Sequence, residues 1–182
     1  MKDPALVARD LLGKVVVRRI GSQVLSGRIV ETEAYYGEKD PASRAYGGRK
    51  NYNEVMFGEP GRAFIYMVHS WWLLNIVAHP EGGVGAVLIR ALEPLEGIEV
   101  MRKNRGRRNV RDLTSGPGKL STALAVTKEL KGVDVTREDS RLAVAEGNAG
   151  GFEICSSNRI GVRTDLPQKL RFFIKGNKFV SK

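Results

Sequence analysis

The sequence contains a single cysteine, Cys155, and only two histidines, His69 and His79. One thiol cannot form an intrachain disulfide, and such sparing use of cysteine fits a protein that works in the reducing interior of a cell. The two histidines stand ten residues apart, which matches no common spacing of zinc ligands. We therefore expect neither a disulfide framework nor a structural metal site.

Long apolar runs are also missing from the sequence. No stretch approaches the roughly 20 apolar residues that a membrane-spanning helix needs, and the first residues do not follow the pattern of a signal peptide. Internal repeats, low-complexity tracts and linker-like segments are absent as well. With 182 residues, of which 42% are hydrophobic, the chain is expected to form one domain, 1–182, with its own core.

Acidic residues are outnumbered, because thirty Lys and Arg stand against twenty Asp and Glu, a net charge of +10. Residues 1–90 carry twelve basic and nine acidic side chains, whereas residues 91–182 carry eighteen and eleven. Segment 102–111 holds six positive charges and no negative one, with Arg105, Arg107 and Arg108 at its centre. Such a strip favours contact with nucleic-acid phosphates. A solvated basic loop and an anionic membrane surface are the alternatives.

Apolar periodicity and turn residues predict a mixture of strands and helices. The predicted strands are 15–20, 24–36, 63–68, 71–78, 84–92, 152–155 and 170–175. The predicted helices are 4–12, a helix starting at Asp40-Pro41, 94–102 and 120–126. His69-Ser70 is predicted to be the tip of a protruding hairpin. Without a βαβ rhythm, the order predicts the α+β class: a curved, mainly antiparallel sheet with peripheral helices.

The densest chemistry lies in Glu31-Thr32-Glu33-Ala34-Tyr35. Strand alternation puts Glu31, Glu33 and Tyr35 on one face of the predicted strand. A carboxylate on a buried face is costly without a partner, so a pair of them suggests general acid–base chemistry, including that of an O-glycoside hydrolase. A solvent-facing strand with scattered charges would show the same pattern.

Arg90 stands inside an otherwise apolar predicted strand, Val87-Leu88-Ile89-Arg90-Ala91-Leu92. A buried arginine nearly always has a carboxylate partner. Glu31 and Glu33 are both candidates for that partner. The pairing is compatible with catalysis and equally with a purely structural ion pair.

Together, these blocks resemble the 3-methyladenine DNA glycosylases of the alkyladenine type. The resemblance covers almost the whole chain, with its motifs in the family's order. The matching segments are RIVETEAY at 28–35, MF at 56–57, PG at 60–61, FIY at 64–66, NI at 75–76, LIRALEPLEG at 88–97, SGPGKL at 115–120, RIGV at 159–162 and LRF at 170–172.

The resemblance implies a role for each matched residue. Glu33 corresponds to the general base that deprotonates a water, and Arg90 and the backbone carbonyl of Ile160 correspond to groups that hold this water. Tyr35 and Tyr66 correspond to aromatics that sandwich the flipped base. Asn75 corresponds to a residue that disfavours the amino group of normal guanine.

Further positions bear on the DNA itself. Ser115, Gly116, Gly118 and Lys119 resemble a block near the site and offer backbone amides and a lysine to a phosphate, although a simple helix cap would look the same. The resemblance implies that Arg44 lies near the flipped base, at a position where many members of the family have histidine. His69-Ser70 stands where most members of the family have a Tyr-Gly hairpin tip, and the segment from there to Asn75 is one residue shorter than in the family. Either His69 or Trp71 is therefore the side chain expected to insert into the DNA.

The sequence thus predicts a monofunctional DNA repair glycosylase that uses Glu33 and no metal or organic cofactor. Its expected partner is double-stranded DNA with a damaged purine, with no membrane contact, and the protein is expected to be a monomer. We expect an intracellular location, cytoplasmic and nucleoid-associated if the organism is a prokaryote. A non-catalytic nucleic-acid-binding module with the same fold is the main alternative, and an O-glycosidase, which does not call for this basic surface, is the weaker one.

Overall fold

In the computed structural model, residues 2–147 and 150–181 are described, and they contain eight strands and four α-helices. The strands are β1 (Val15–Ile20), β2 (Gln23–Tyr35), β3 (Ala63–Val68), β4 (Trp71–Val77), β5 (Ala86–Glu96), β6 (Leu142–Ala145), β7 (Ile154–Ser157) and β8 (Arg171–Ile174). The helices are α1 (Pro4–Asp10), α2 (Ile98–Arg105), α3 (Arg111–Thr114) and α4 (Pro117–Ala123). Short 3-10 turns cover Glu54–Phe57 and Lys128–Leu130.

The eight strands form one antiparallel sheet in the order β3-β4-β5-β2-β1-β6, with β7 and β8 attached off this path. The long central strand β2 pairs with β5 along one edge. Along its other edge, β2 pairs first with β1 and then with β8, so its second half is enclosed on both sides. This arrangement confirms the predicted α+β class with an antiparallel sheet.

The β2–β5 ladder changes register at three places, two of which frame the carboxylates. Ile29 pairs with Leu92 and Glu31 with Ala91, which leaves Val30 as an extra residue on β2. Thr32 then pairs with Ile89, which leaves Arg90 as an extra residue on β5. Such irregularities bend a sheet and re-aim side chains. Here they lie at the point where Glu31, Glu33 and Arg90 meet.

The main core is built from apolar side chains of the sheet and of the helices that cover it. Among the largest fully buried side chains are Leu25, Ile29, Ile89 and Leu92 from the strands and Leu113, Leu120 and Leu124 from the helical region. A smaller apolar cluster contains Ala45, Met56, Phe64, Val77 and Ala86. Within the described residues no helix has the length and apolar character required to cross a membrane.

The predicted β3–β4 hairpin is confirmed, with Val68 paired to Trp71 across a two-residue tip. His69 and Ser70 have φ angles of 45° and 70°. Positive φ at both central residues is the geometry of a type I′ turn, which glycine and asparagine normally occupy. The tip is therefore tight and exposed, although neither residue is the usual one for this turn.

The helix predicted to begin at Asp40-Pro41 is wrong. Residues 41–48 form successive turns, in which Ser43 N–H donates to the carbonyl of Asp40 and Tyr46 N–H to that of Ser43. The Asp40 carboxylate does accept from the N–H of Ala42, as a capping residue would. It is fully buried, however, and binds Arg159, so a tertiary contact overrode the local helix signal.

The predicted helix 94–102 is also wrong at its start. Strand β5 continues through Pro94, which pairs with Gly27, and α2 begins only at Ile98. Gly97, with φ of 73°, makes the break between strand and helix. Proline fixes a φ that suits the first turn of a helix and also an extended or bulged strand, so Pro94 alone did not distinguish the two.

The remaining differences are mostly shifts of element ends. Helix α4 starts at Pro117 rather than at 120, with proline in its first turn, and β7 begins two residues later than the predicted strand 152–155. Strand β6 and helix α3 were not predicted. Both have only four residues, too few for a periodic pattern to register.

Candidate active site

Glu33 occupies the second half of β2, where β5 and β8 flank the strand, and its side chain is fully buried. Its Oε1 accepts a hydrogen bond of 2.8 Å from the backbone N–H of Ile160. Its Oε2 accepts one of 2.8 Å from the hydroxyl of Tyr35. The Nη1 of Arg90 lies 3.4 Å from Oε1. Each of these contacts brings a donor to the carboxylate.

Burial raises the pKa of the Glu33 carboxyl, because the charged form loses its hydration. Arg90, the N–H of Ile160 and the Tyr35 hydroxyl oppose the rise by stabilising the anion. The net result is a pKa above the ordinary value for glutamate. A carboxylate tuned in this direction is a stronger base, which suits proton abstraction near neutral pH.

Glu31 lies two residues earlier on the same face of β2, and its carboxylate accepts more hydrogen bonds than that of Glu33. Its Oε1 accepts from Arg171 Nε at 2.6 Å and from Arg90 Nε at 3.0 Å. Ser181 adds two bonds, from its hydroxyl at 2.9 Å and from its backbone N–H at 2.7 Å. We call Glu31, Arg90, Arg171 and Ser181 the Glu31 cluster. In this cluster the Nε of Arg90 donates to Glu31, which leaves Nη1 of the same guanidinium free to approach Glu33.

A second cluster of buried ion pairs, formed by Arg159, Asp40 and Asp165, packs against the ring of Tyr35. Arg159 is buried and its guanidinium binds the Asp40 carboxylate at 2.7 and 2.8 Å and Asp165 at 2.8 Å. The same guanidinium lies 4.5 Å from the centroid of the Tyr35 ring. Because Ile160 follows Arg159 directly, this cluster anchors both a wall residue and the donor to Glu33.

The groups that contact Glu33 line a cavity of about 650 Å³. Tyr35, Arg90 and Ile160 form part of its wall, together with Tyr66, Arg44 and His69. Glu33 itself lies directly behind this wall. The volume falls in the usual range for a small-molecule or nucleotide pocket, and the wall combines aromatic faces with a few polar groups.

The four predicted base-binding residues, Tyr35, Arg44, Tyr66 and Asn75, line one small void that shares the first three of them with this cavity. The ring of Tyr66 stacks on that of Phe64, with centroids 5.0 Å apart, and the guanidinium of Arg44 lies 4.9 Å from the Tyr66 centroid. Asn75 is buried, and its Nδ2 donates to the carbonyls of Phe64 and Leu73. The void that these residues line measures only about 10 Å³.

An adjoining cavity of about 490 Å³ shares Arg90 and Pro117 with the first. Ser115, Gly116 and Lys119 line it, as does Arg111. The ammonium of Lys119 lies 3.4 Å from the Ser115 hydroxyl and 3.9 Å from Asp112. Of the seven residues predicted to bind phosphate, Ser115, Gly116 and Lys119 are therefore brought together beside the candidate site.

The other predicted DNA contacts lie elsewhere. Gly118 is packed under Trp71, and a Cβ at Gly118 would approach the Trp71 ring to 3.0 Å. The side chains of Arg107 and Arg108 are exposed, and Arg105 ends α2. Neither cavity is lined by these three arginines. His69 is exposed at the hairpin tip, and Trp71 beside it is 45% exposed.

Several residues that hold the site in place were not predicted from the sequence. Arg171 opens an apolar strand just as Arg90 sits in one, so the same signal could have found it. Asp40 was assigned to a helix cap, and Arg159 was not assigned any role. Ser181 carries no signal in the sequence, because only the fold brings it to Glu31.

Comparisons with known proteins identify the family. The model of the methylpurine-DNA glycosylase family matches residues 1–178. The chain therefore belongs to this family, and the enzyme class predicted from the sequence, a DNA glycosylase, is confirmed.

Curated relatives agree over the full length. Proteins of Aeropyrum pernix and Koribacter versatilis are 43% and 41% identical, over 100% and 99% of this chain and 89% of each relative. A protein of Mesorhizobium japonicum is 44% identical over 98% of this chain and 86% of its own length. Each is provisionally named a 3-methyladenine DNA glycosylase.

Proposed function

We propose that the protein is a monofunctional glycosylase of base excision repair. It flips an alkylated or deaminated purine out of duplex DNA and hydrolyses the N-glycosidic bond, leaving an abasic site. The observation that carries the proposal is the position of Glu33. A buried carboxylate with a raised pKa stands behind the wall of a cavity lined by two tyrosines and an arginine.

In this mechanism Glu33 activates the attacking water. An ionised carboxylate offers about four acceptor positions; Ile160 and Tyr35 donate to two of them, and the Arg90 guanidinium stands beside a third, 3.4 Å from Oε1. A water can take the remaining position. Its oxygen bonds to C1′ as the C1′–N9 bond breaks, its proton passes to Glu33, and the purine leaves with the bonding electron pair. The carboxylate also stabilises the oxocarbenium character that develops on the sugar.

The flipped base is held between Tyr35 and Tyr66. Such an extruded base is recognised by stacking and by contacts to its edge, and the electron-rich faces of tyrosines favour cationic alkylated purines. Arg44 reaches the base edge from its position over Tyr66. The buried side chain of Asn75 disfavours the extra amino group of normal guanine, the role that the resemblance to the family implies.

The duplex is held by phosphate contacts and by the hairpin tip. Ser115, Gly116 and Lys119 bind the backbone next to the base cavity, and Arg105, Arg107 and Arg108 add non-specific attraction. His69 enters the gap left by the flipped nucleotide, with Trp71 as the second candidate. Replacing His69 with alanine should weaken binding to a lesion duplex by about 1–3 kcal/mol and binding to a single-stranded lesion much less.

The proposed reaction requires only water and side chains of a single protomer, and no cofactor. A base-release assay on duplexes carrying 3-methyladenine, 7-methylguanine, hypoxanthine or ethenoadenine tests it directly. At least one lesion should be released as the free base, with unchanged activity in a chelator. Because no amine nucleophile is involved, borohydride should trap no protein–DNA adduct. Release of no base from any duplex would refute the enzyme, and a trapped adduct would refute the water mechanism.

A further inference from the structure

A groove of about 560 Å³ lies beside the base cavity, and apart from Tyr66 and Arg44 its lining residues play no part in the mechanism above. We call it the outer hairpin groove. Its lining includes Tyr52, Met67 and Trp72 as apolar groups, and Arg44, Lys128 and Lys131 as cations. Tyr52 is 44% exposed and Met67 is 52% exposed. Large apolar side chains that remain open to solvent beside several cations are typical of nucleic-acid surfaces.

The charges of the groove are all of one sign. No carboxylate belongs to its lining. Lys131 donates to the carbonyls of Asn51 and Tyr52, which fixes its ammonium at the edge of the groove. Lys128 is exposed, and in the described part of the chain its ammonium makes no ion pair and no hydrogen bond. The groove therefore complements a polyanion, and Lys128 is the cation most available to it.

The groove and the base cavity occupy opposite faces of the β3–β4 hairpin. Side chains alternate along a strand, so Tyr66 and Val68 point towards the base cavity while Ile65 and Met67 line the outer groove. The cross-strand partners follow the same division, with Leu73 opposite Tyr66 and Trp72 opposite Met67. Tyr66 and Arg44, at the edge, border both spaces.

We propose that the outer hairpin groove binds the undamaged strand of the duplex. This inference rests on the proposed function, in which the hairpin tip enters the duplex at the flipped nucleotide. The flipped nucleotide leaves the duplex towards the base cavity on one face of the hairpin, so the complementary strand lies on the side of the opposite face. The second face here offers Lys128 to a phosphate and the Met67 and Tyr52 side chains to the sugars and bases of the complement.

The test is the salt dependence of binding, measured in the Glu33→Gln background so that the lesion persists. Loss of one phosphate contact lowers the slope of log K against log salt by about 0.9. Lys128→Met should lower the slope by about this amount on a lesion duplex and leave it unchanged on the single-stranded lesion. Lys175→Met is the matched control, because Lys175 is ion-paired with Glu153 and lines no cavity described above. It should change neither slope.

Neutral methylphosphonates then identify the strand. Placed on the undamaged strand opposite the lesion, they should abolish the effect of Lys128→Met; placed on the damaged strand, they should leave it intact. Met67→Glu puts a negative charge, the same sign as that of the DNA phosphates, into the groove. It should weaken duplex binding by about tenfold or more. An unchanged duplex slope in Lys128→Met, or an equal change on single-stranded DNA, would overturn the inference. Base release by the wild type is measured separately. A failure of the proposal that the groove binds the undamaged strand can therefore be distinguished from a failure of the proposed glycosylase activity.

Discussion

Glu31 and Glu33 lie two residues apart on one face of β2, and both are fully buried and both contact Arg90. Glu31 accepts hydrogen bonds from two arginines and from both the hydroxyl and the backbone of Ser181. Glu33 has one arginine at 3.4 Å, one backbone N–H and one tyrosine hydroxyl. The same residue type on the same strand face is thus fully neutralised at one position and only partly at the other.

The difference in hydrogen-bond partners indicates that the two carboxylates have different roles. A buried charge that is fully paired contributes to the architecture, and removing one partner leaves the others uncompensated. A buried charge that is partly paired keeps a raised pKa and a free acceptor position, which suits a base. In this protein Glu31 positions Arg90, and Arg90 in turn tunes Glu33.

Of the substitutions considered, one at Glu33 is expected to have the largest effect. Glu33→Gln keeps the shape of the side chain but removes the proton acceptor, so single-turnover base release should fall by about 10²–10⁴-fold. Binding to a lesion duplex and the urea midpoint should stay close to those of the wild type. Excision within threefold of the wild-type rate would remove Glu33 from the mechanism.

The same substitution at Glu31 should act on stability instead. Glu31→Gln leaves Arg90 and Arg171 without their shared charge, and breaking such a buried pair costs about 3–5 kcal/mol. Urea unfolding of the two glutamine variants, measured side by side, checks this contrast. If Glu31→Gln were as stable as Glu33→Gln, the division between an anchoring and a catalytic carboxylate would be wrong.

Arg90 should affect both rate and pH dependence. The base must be ionised, so the excision rate should rise with pH through the raised pKa of Glu33 and level off above it. Arg90→Met removes the cation that opposes the rise, so the pKa goes up further and the acidic limb moves to higher pH. The plateau rate should fall by about 10²–10³-fold.

A hypoxanthine duplex is suitable for these pH–rate profiles, because that base is stable in DNA over the range. Arg171→Met is a comparison variant, since Arg171 is the cross-strand neighbour of Glu33 but its guanidinium binds Glu31. It should leave the acidic limb closer to its wild-type position. An unshifted limb in Arg90→Met would show that Arg90 does not tune the base.

The smallest effect is expected at Ser181. Ser181→Ala removes the hydroxyl that donates to Glu31 and accepts from Arg90 but keeps the backbone bond to Glu31. One hydrogen bond of this kind contributes about 1 kcal/mol, which urea unfolding can resolve. Ser22→Ala, in the exposed β1–β2 turn, is the control and should be neutral. Equal stabilities of the two variants would show that Ser181 does not support the cluster.

Local patterns predicted the hairpin and the carboxylate face of β2, since each depends on neighbours within a few residues, and the order of the predicted elements, without a βαβ rhythm, predicted the antiparallel sheet. The same patterns failed at Asp40, where the capping residue is bound by Arg159 more than one hundred residues away. They failed at Pro94 as well, because its fixed φ is compatible with both a strand and a helix start.

By itself, the sequence determined which side chains carry chemistry and which face of the strand they share, because alternation along β2 is a local property. Only the tertiary structure decided that Glu31 became the anchor and Glu33 the candidate base. Arg171 and Ser181 reach Glu31, and Ile160 reaches Glu33, from distant parts of the chain. The pKa of a buried carboxylate depends on such partners and on the depth of burial, and neither exists before the chain has folded.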